Sequence, residues 1–247
     1  MRKAFVILLL LLLTACTPKP LGNGFVPTVT VEGDVGEVFE LNRESADELS
    51  WTKVEAKGAL LPCIAMADVI EKACPRTETY DLLLIAADGY SVLIGGDDLG
   101  GAFIAFSSDY GWECVNLNHP VSSKVKTLQR IIVVSAEGTV ELADAEGTRL
   151  ISAGQLAMLP LRTGARLLGR AEQNGNFAEV YAFIARKPIS ELLVAEKEIT
   201  VIGRDGSVSH DRDFWGAALE LRGNVLDYVF ASGERVTDAV KIIADGG

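Results

Sequence analysis

Three of the four cysteines, two histidines and one glycine-rich stretch are the features within the body of this 247-residue chain that could carry chemistry. Cys63, Cys74 and Cys114 are thiols of the kind that ligate metals or attack electrophiles once ionised, which takes basic neighbours. None has them. Cys114 sits in Tyr110-Gly111-Trp112-Glu113-Cys114-Val115, where an acidic neighbour raises a thiol pKa. No CxxC pair is present, and two histidines are too few for a typical zinc site. Cys63 and Cys74 on one helix would stand about 16 Å apart, too far for a disulfide, but Pro62 suggests that Cys63 precedes the helix, which leaves the pairing open. His119 before Pro120 and His210 beside Asp211 are candidate bases with no recognisable nucleophile. Gly95-Gly96-Asp97-Asp98-Leu99-Gly100-Gly101 lacks the Lys-Ser/Thr of a phosphate loop, so a hairpin or loop is expected there.

The amino terminus carries a different signal. Arg2 and Lys3 precede an apolar run from Ala4 to Leu13, which Leu13-Thr14-Ala15-Cys16 closes with small residues before a cysteine. Ten residues at about 1.5 Å each span only half of a ~30 Å hydrocarbon core. The final four residues resemble the bacterial lipobox. That resemblance implies that 1–15 is a cleaved signal peptide and that Cys16, bearing a diacylglyceryl thioether and a further acyl chain such as palmitate, becomes the first mature residue. Two acyl chains give stable anchoring. The Pro/Gly/Asn-rich stretch 16–28 reads as a tether. The expected location is therefore the cell envelope, lipid-anchored to the outside of a membrane.

The mature part is large enough for a substantial core, since the chain is 49% hydrophobic and 23% charged. Its net charge of −11 becomes −13 once Arg2 and Lys3 are removed. Such a surface disfavours nucleic acid.

The chain also matches itself. Tyr80 to Ala87 leads into Asp88-Gly89, and Lys197 to Arg204 leads into Asp205-Gly206, each an apolar strand ending in an Asp-Gly turn. Upstream lie Ile64 to Ile70 and Pro188 to Leu193, read as short amphipathic helices; downstream lie Ala102 to Phe106 and Ala217 to Leu221. Each half ends on a strand, Leu128 to Val134 and Val236 to Ile243. The expected fold class is α+β: two related mixed α/β units, 29–134 and 135–247, each a small sheet with short helices. The runs Leu82 to Ala87 and Arg130 to Val134 read as strands covered on both faces. Met66, Val69, Ile70 and Ala73 form a helical stripe directed at a sheet, stopped by Cys74-Pro75.

Within the first unit, Leu60-Leu61-Pro62 with its helix, the strand and Asp88-Gly89-Tyr90-Ser91 turn, Ala102 to Phe106, Asn116-Leu117-Asn118-His119-Pro120 and a closing Val125 to Val133 resemble the oxidoreductase molybdopterin-binding domain of the sulfite oxidase superfamily. The resemblance covers about residues 55 to 135 and implies a sulfite-oxidase-like scaffold. In catalytic members a cysteine thiolate binds molybdenum beside basic residues for the pterin phosphate. No such residues accompany the cysteines here, so the scaffold is expected without molybdopterin, other cofactor or metal, and without catalysis; a redox enzyme or its accessory subunit is the alternative. Asp88, Tyr90, Tyr110, Trp112, Asn118 and His119 fall in loops where such a scaffold keeps its ligand cleft. They are the candidate site for a small molecule or an envelope protein partner.

Overall fold

The computed structural model describes residues 21, 25–56, 58–118, 125–159, 166–173, 176–182 and 185–245, with backbone alone for 166–182. Cys16, the signal peptide and His119 lie outside the described residues.

The first half runs through β1 (Val29–Gly33), β2 (Phe39–Leu41), helix α1 (Arg43–Asp47), β3 (Trp51–Ala56), β4 (Ala59–Ala65), helix α2 (Met66–Glu71), β5 (Tyr80–Ala86), β6 (Ser91–Ile94), β7 (Ala102–Ser107), β8 (Gly111–Asn116) and β9 (Leu128–Ser135). The second runs through β10 (Val140–Asp144), β11 (Gly147–Ile151), helix α3 (Ala153–Met158), β12 (Arg166–Gln173), β13 (Asn176–Ala182), β14 (Arg186–Pro188), β15 (Ile199–Gly203), β16 (Val208–Asp211), β17 (Ala218–Arg222), β18 (Val225–Val229), β19 (Arg235–Val236) and β20 (Ala239–Ala244). The protein is mostly sheet with a few short helices.

Strand order repeats between the halves. One five-stranded sheet is ordered β2-β1-β9-β5-β6 and the other β11-β10-β20-β15-β16. Each contains one parallel pair, β1 with β9 and β10 with β20, among antiparallel neighbours. Each half also has a four-stranded sheet, β3-β4-β7-β8 and β14-β17-β18-β19. The expectation of one small sheet per half therefore needs correcting: each half has two. The second sheet arises because β4 and β7 bury Ile64 and Ile104 against Leu82, Leu84, Ile131 and Val133 of the first. β12 and β13 form a hairpin of their own.

The apolar runs take the central places. Leu82, Leu84, Ile131 and Val133 point into the first-half core with Met66, Val69 and Ile70 of α2. Leu83, Ile85 and Ile132, on the opposite face, join a cluster with Leu156 of α3, Ile189, Leu219 and Tyr228. Period-two alternation sends successive side chains to both cores. Each fully buried leucine or isoleucine stabilises by about 1.5–3 kcal/mol.

Two local readings change. Pro188 to Leu193 is the end of β14 and a single 3-10 turn, Ile189–Glu191, because Val194 N–H leaves the helical path to donate to Asp144 Oδ2 at 3.1 Å. Cys74 ends its helix with φ 53°, in the left-handed region and not the extended one expected before proline; its carbonyl accepts from Gly36 N–H at 2.7 Å. The expected loop at Gly95–Gly101 contains a 3-10 turn, Gly96–Gly101.

Candidate functional site

The turns that close β5 with β6 and β15 with β16 are built alike. Gly89 and Gly206 adopt φ 84° and 82°, a region open to glycine at little cost. Asp88 Oδ1 accepts from Tyr90 N–H at 3.0 Å, and Asp205 Oδ1 accepts from Ser207 N–H at 2.9 Å. Behind them, Ala87 N–H donates to Thr127 O at 2.9 Å and Arg204 N–H to Asp238 O at 3.0 Å, with Thr127 and Asp238 both at φ 50°. What distinguishes the first turn is Tyr90, 47% exposed.

Tyr110 lies at the same end of the first half, in the turn joining β7 to β8. Lys126 Nζ stands 4.2 Å from its ring centroid, and Thr127, the next residue, is bonded to the β5–β6 turn. The segment Lys126-Thr127 thus touches the ring of Tyr110 through Lys126 and the β5–β6 turn through Thr127 O. Cation–π contact of this kind is worth about 0.5–1 kcal/mol where exposed and orients the ring.

The other candidates do not join them. Trp112 is fully buried, stacked on Trp51 at 6.3 Å and edge-on to Phe106 at 5.3 Å, while its indole N–H donates to Pro27 O at 2.7 Å. Its work is to hold the incoming chain against the core. Leu21 is also buried, and its carbonyl accepts from Arg43, so the tether expected over 16–28 is docked by its carboxy-terminal part. Asn118 stands beyond the far end of β8, about 20 Å from Tyr110 along six residues of strand. Its N–H donates to Asn116 Oδ1 at 2.9 Å. Asn116 itself is buried and its Nδ2 has no hydrogen-bond partner among the described residues, which sequence reading missed.

The thiols are unpaired with one another. Strand β7 separates Cys63 from Cys114: Cys63 pairs with Ala105, whereas Cys114 pairs with Ile104. The two thiols therefore point to opposite faces of the sheet. Burial, then the Glu113 carboxylate, pushes Cys63 up to about 11 and Cys114 up to about 12. Cys74 is exposed and stands apart. Both buried thiols are held protonated at neutral pH. Among the described residues no group of three or more His, Cys, Asp or Glu is placed to hold a metal ion. His210 is exposed on β16, its Nδ1 3.2 Å from Thr200 Oγ1.

Cavities also lie elsewhere among the described residues. One of about 480 Å³ is lined by Glu78, Tyr80, Asp81, Asp97, Asp98 and Leu99 beside the 3-10 turn. Gly96 N–H donates to Asp81 Oδ1 at 2.9 Å there, which organises the loop. Another, about 620 Å³, is walled by Leu150, Ile151, Met158, Leu159 and Leu192, with Lys187 paired to Glu191 at its floor. Its residues come from three separate segments, 149–151, 155–159 and 187–192, so no local pattern announces it.

No protein-family model matches the chain, and neither does any curated protein. Among solved structures, the chain is similar to the sulfane dehydrogenase SoxCD from Paracoccus pantotrophus, at a TM-score of 0.38 and 12% identity, over 86% of this chain and 77% of that one.

Proposed function

We propose that this chain is an envelope lipoprotein, anchored through lipid on Cys16, that works as a non-catalytic binding module for a small ligand or a partner protein. The anchor rests on Arg2-Lys3, the apolar run and Leu13-Thr14-Ala15-Cys16. The binding role is supported by one observation: Lys126-Thr127 touches both Tyr110 and the turn that carries Asp88 and Tyr90, and both tyrosines are exposed. Aromatic faces with few polar groups suit ligand capture. Burial of Cys63 and Cys114 with raised thiol pKa values disfavours a molybdopterin enzyme.

Three measurements test this. A palmitate analogue should label the wild type and not Cys16→Ser; equal labelling sinks the anchor. Elemental analysis should find no molybdenum, and stoichiometric metal lost in Cys114→Ala would replace the binding module by an enzyme. A thermal-shift screen should give hits that Tyr90→Ala with Tyr110→Ala abolishes, since ligand at 100 times Kd stabilises by about 2.7 kcal/mol.

A further inference from the structure

Leu21 fixes how far a lipid on Cys16 can stand from the folded body. Its side chain is buried, and its carbonyl accepts from Arg43 Nη1 at 3.0 Å. Four residues separate it from Cys16, so whatever path they take the two lie within about 18 Å of each other, at no more than about 3.6 Å per residue. Strand pairing says what else lies at that end. Val29 begins β1 opposite Leu41, the last residue of β2, and Arg43 follows two positions later. β9 runs parallel to β1 and starts there too, while antiparallel β5 finishes there, with Ala86 opposite Leu128. The β5–β6 turn and Tyr90 are accordingly at the Leu21 end. So is Tyr110, because Lys126, two residues before β9, reaches its ring, and Trp112, just after it, donates to Pro27 O. Phe25, 56% exposed, precedes β1 at the same end. Cys74 marks the opposite end: its carbonyl accepts from Gly36 N–H, beyond the last residue of β1 and about 23 Å away along the strands.

The fold itself does not ask for these rings. In the second half the matching β15–β16 turn has Ser207 where Tyr90 stands, with the same aspartate bond and the same positive-φ glycine. Asn224 directly precedes β18 as Tyr110 directly precedes β8, and Asn224 is engaged by the first half, its Nδ2 donating to Gly36 O at 2.9 Å. At the Leu21 end the equivalent places hold tyrosines that are 47% and 42% exposed. A tyrosine sets an apolar ring at a lipid boundary and keeps its hydroxyl in water, which is why such rings gather at membrane interfaces. Lys126 rests on Tyr110 and can hold its ammonium among headgroup phosphates. Exposed Asp88, Asp109 and Glu44 lie at the same end, so attraction to anionic lipid is not what holds it there. The short tether offsets the weakness of each ring contact by making it an intramolecular event.

We propose that the end of the first half bearing Phe25, Tyr90, Tyr110 and Lys126 rests on the headgroup layer of the membrane that holds the Cys16 lipid. This rests on the anchor proposed above and names lipid headgroups as what the tyrosine surface meets. The bilayer is favoured over a partner protein because a chain of at most about 18 Å puts it beside these rings from the moment the lipid inserts.

The test uses the full lipidated chain in phosphatidylcholine vesicles, with a fluorophore on one thiol and a nitroxide on the lipid headgroup as quencher. Cys74, which is exposed, supplies the far-end probe; Ser108→Cys in a Cys74→Ser chain supplies the near-end one, since Cys63 and Cys114 are buried. Quenching at 108 is expected to be at least about threefold that at Cys74, and to fall to the Cys74 level when Phe25→Ser, Tyr90→Ser and Tyr110→Ser are combined. Phe25→Ser with Tyr90→Ser serves should the triple variant fail to fold. Equal quenching at the two positions in vesicle-bound protein overturns the proposal and leaves the anchor standing. So does quenching at 108 that survives removal of the rings. A chain that fails to float with the vesicles, as Cys16→Ser should, overturns the anchor and this inference with it. Ring-dependent capture of a protein by a photo-crosslinker at 108 in intact cells, with no quenching there in vesicles, overturns it in favour of a protein partner.

Discussion

Ser152 Oγ donates to Asp34 Oδ2 at 2.6 Å, although the two residues are 118 positions apart. Ser135 N–H donates to the same oxygen at 2.8 Å and Gly154 N–H to Oδ1 at 3.1 Å. A fully buried carboxylate at the end of β1 thereby fixes the first turn of α3, and with it the second half, onto β9. Charged acceptors make these bonds stronger than neutral ones.

Asp34→Ala should therefore destabilise by on the order of 3 kcal/mol, because three buried donors lose their acceptor. Gly154→Ala should be as damaging: its Cβ would lie 2.2 Å from Val133 O and 2.6 Å from Asp34 Oδ2, so α3 must lift off β9. Urea unfolding checks both. A midpoint within error of wild type for either variant would show that the junction is not held here.

Thiol chemistry should separate the cysteines. At pH 8, in a soluble form starting after Cys16, a thiol reagent should titrate Cys74 alone in the native protein and all three remaining cysteines in denaturant, because Cys63 and Cys114 are buried and held protonated. Rapid native labelling of two or three thiols would contradict the burial.

Alkaline stability follows with its sign. The folded pKa values of Cys63, about 11, and Cys114, about 12, lie above their ordinary value of 9.0, so the stabilisation they carry is complete below about pH 9 and is lost as pH rises through 11 to 12. Tyr228, raised by burial and then by its bond to Asp211, acts in the same direction. Melting temperature should fall steeply above about pH 9 and less so in Cys63→Ala with Cys114→Ala. An equal fall in that variant assigns the loss to other groups.

Tyr228→Phe removes one hydroxyl from the second-half core. Tyr228 Oη donates to Asp211 Oδ2 at 2.8 Å, and both residues are buried, so about 1–3 kcal/mol should be lost as that oxygen gives up its donor, while Asp213 N–H still donates to Oδ1 at 2.9 Å. Differential scanning calorimetry measures the cost; a neutral or stabilising change would mean that solvent reaches Asp211.

Gly89→Ala and Gly206→Ala should each cost about 1 kcal/mol by forcing a side chain into positive φ, and should cost alike because the two turns are built alike. Nothing lies within 4 Å of either added Cβ, so the loss measures backbone strain alone. Unequal losses, read from denaturant midpoints, would break the equivalence.

Local rules were enough for much of the chain. The stripe of Met66, Val69 and Ile70 specified α2 and its buried face, continuous apolar runs specified β5 and β9, and Asp-Gly pairs specified two turns, because helical period, strand length and positive φ depend on near neighbours. The repeated order of elements was visible for the same reason. Tertiary structure decided what depends on distant residues. It buried Trp112 under Pro27, sent Asn118 to the far end of β8 from Tyr110, divided each half into two sheets, and let Asp34 meet Ser152. The cavity beside β14 was equally hidden, since its walls come from segments that only packing brings together.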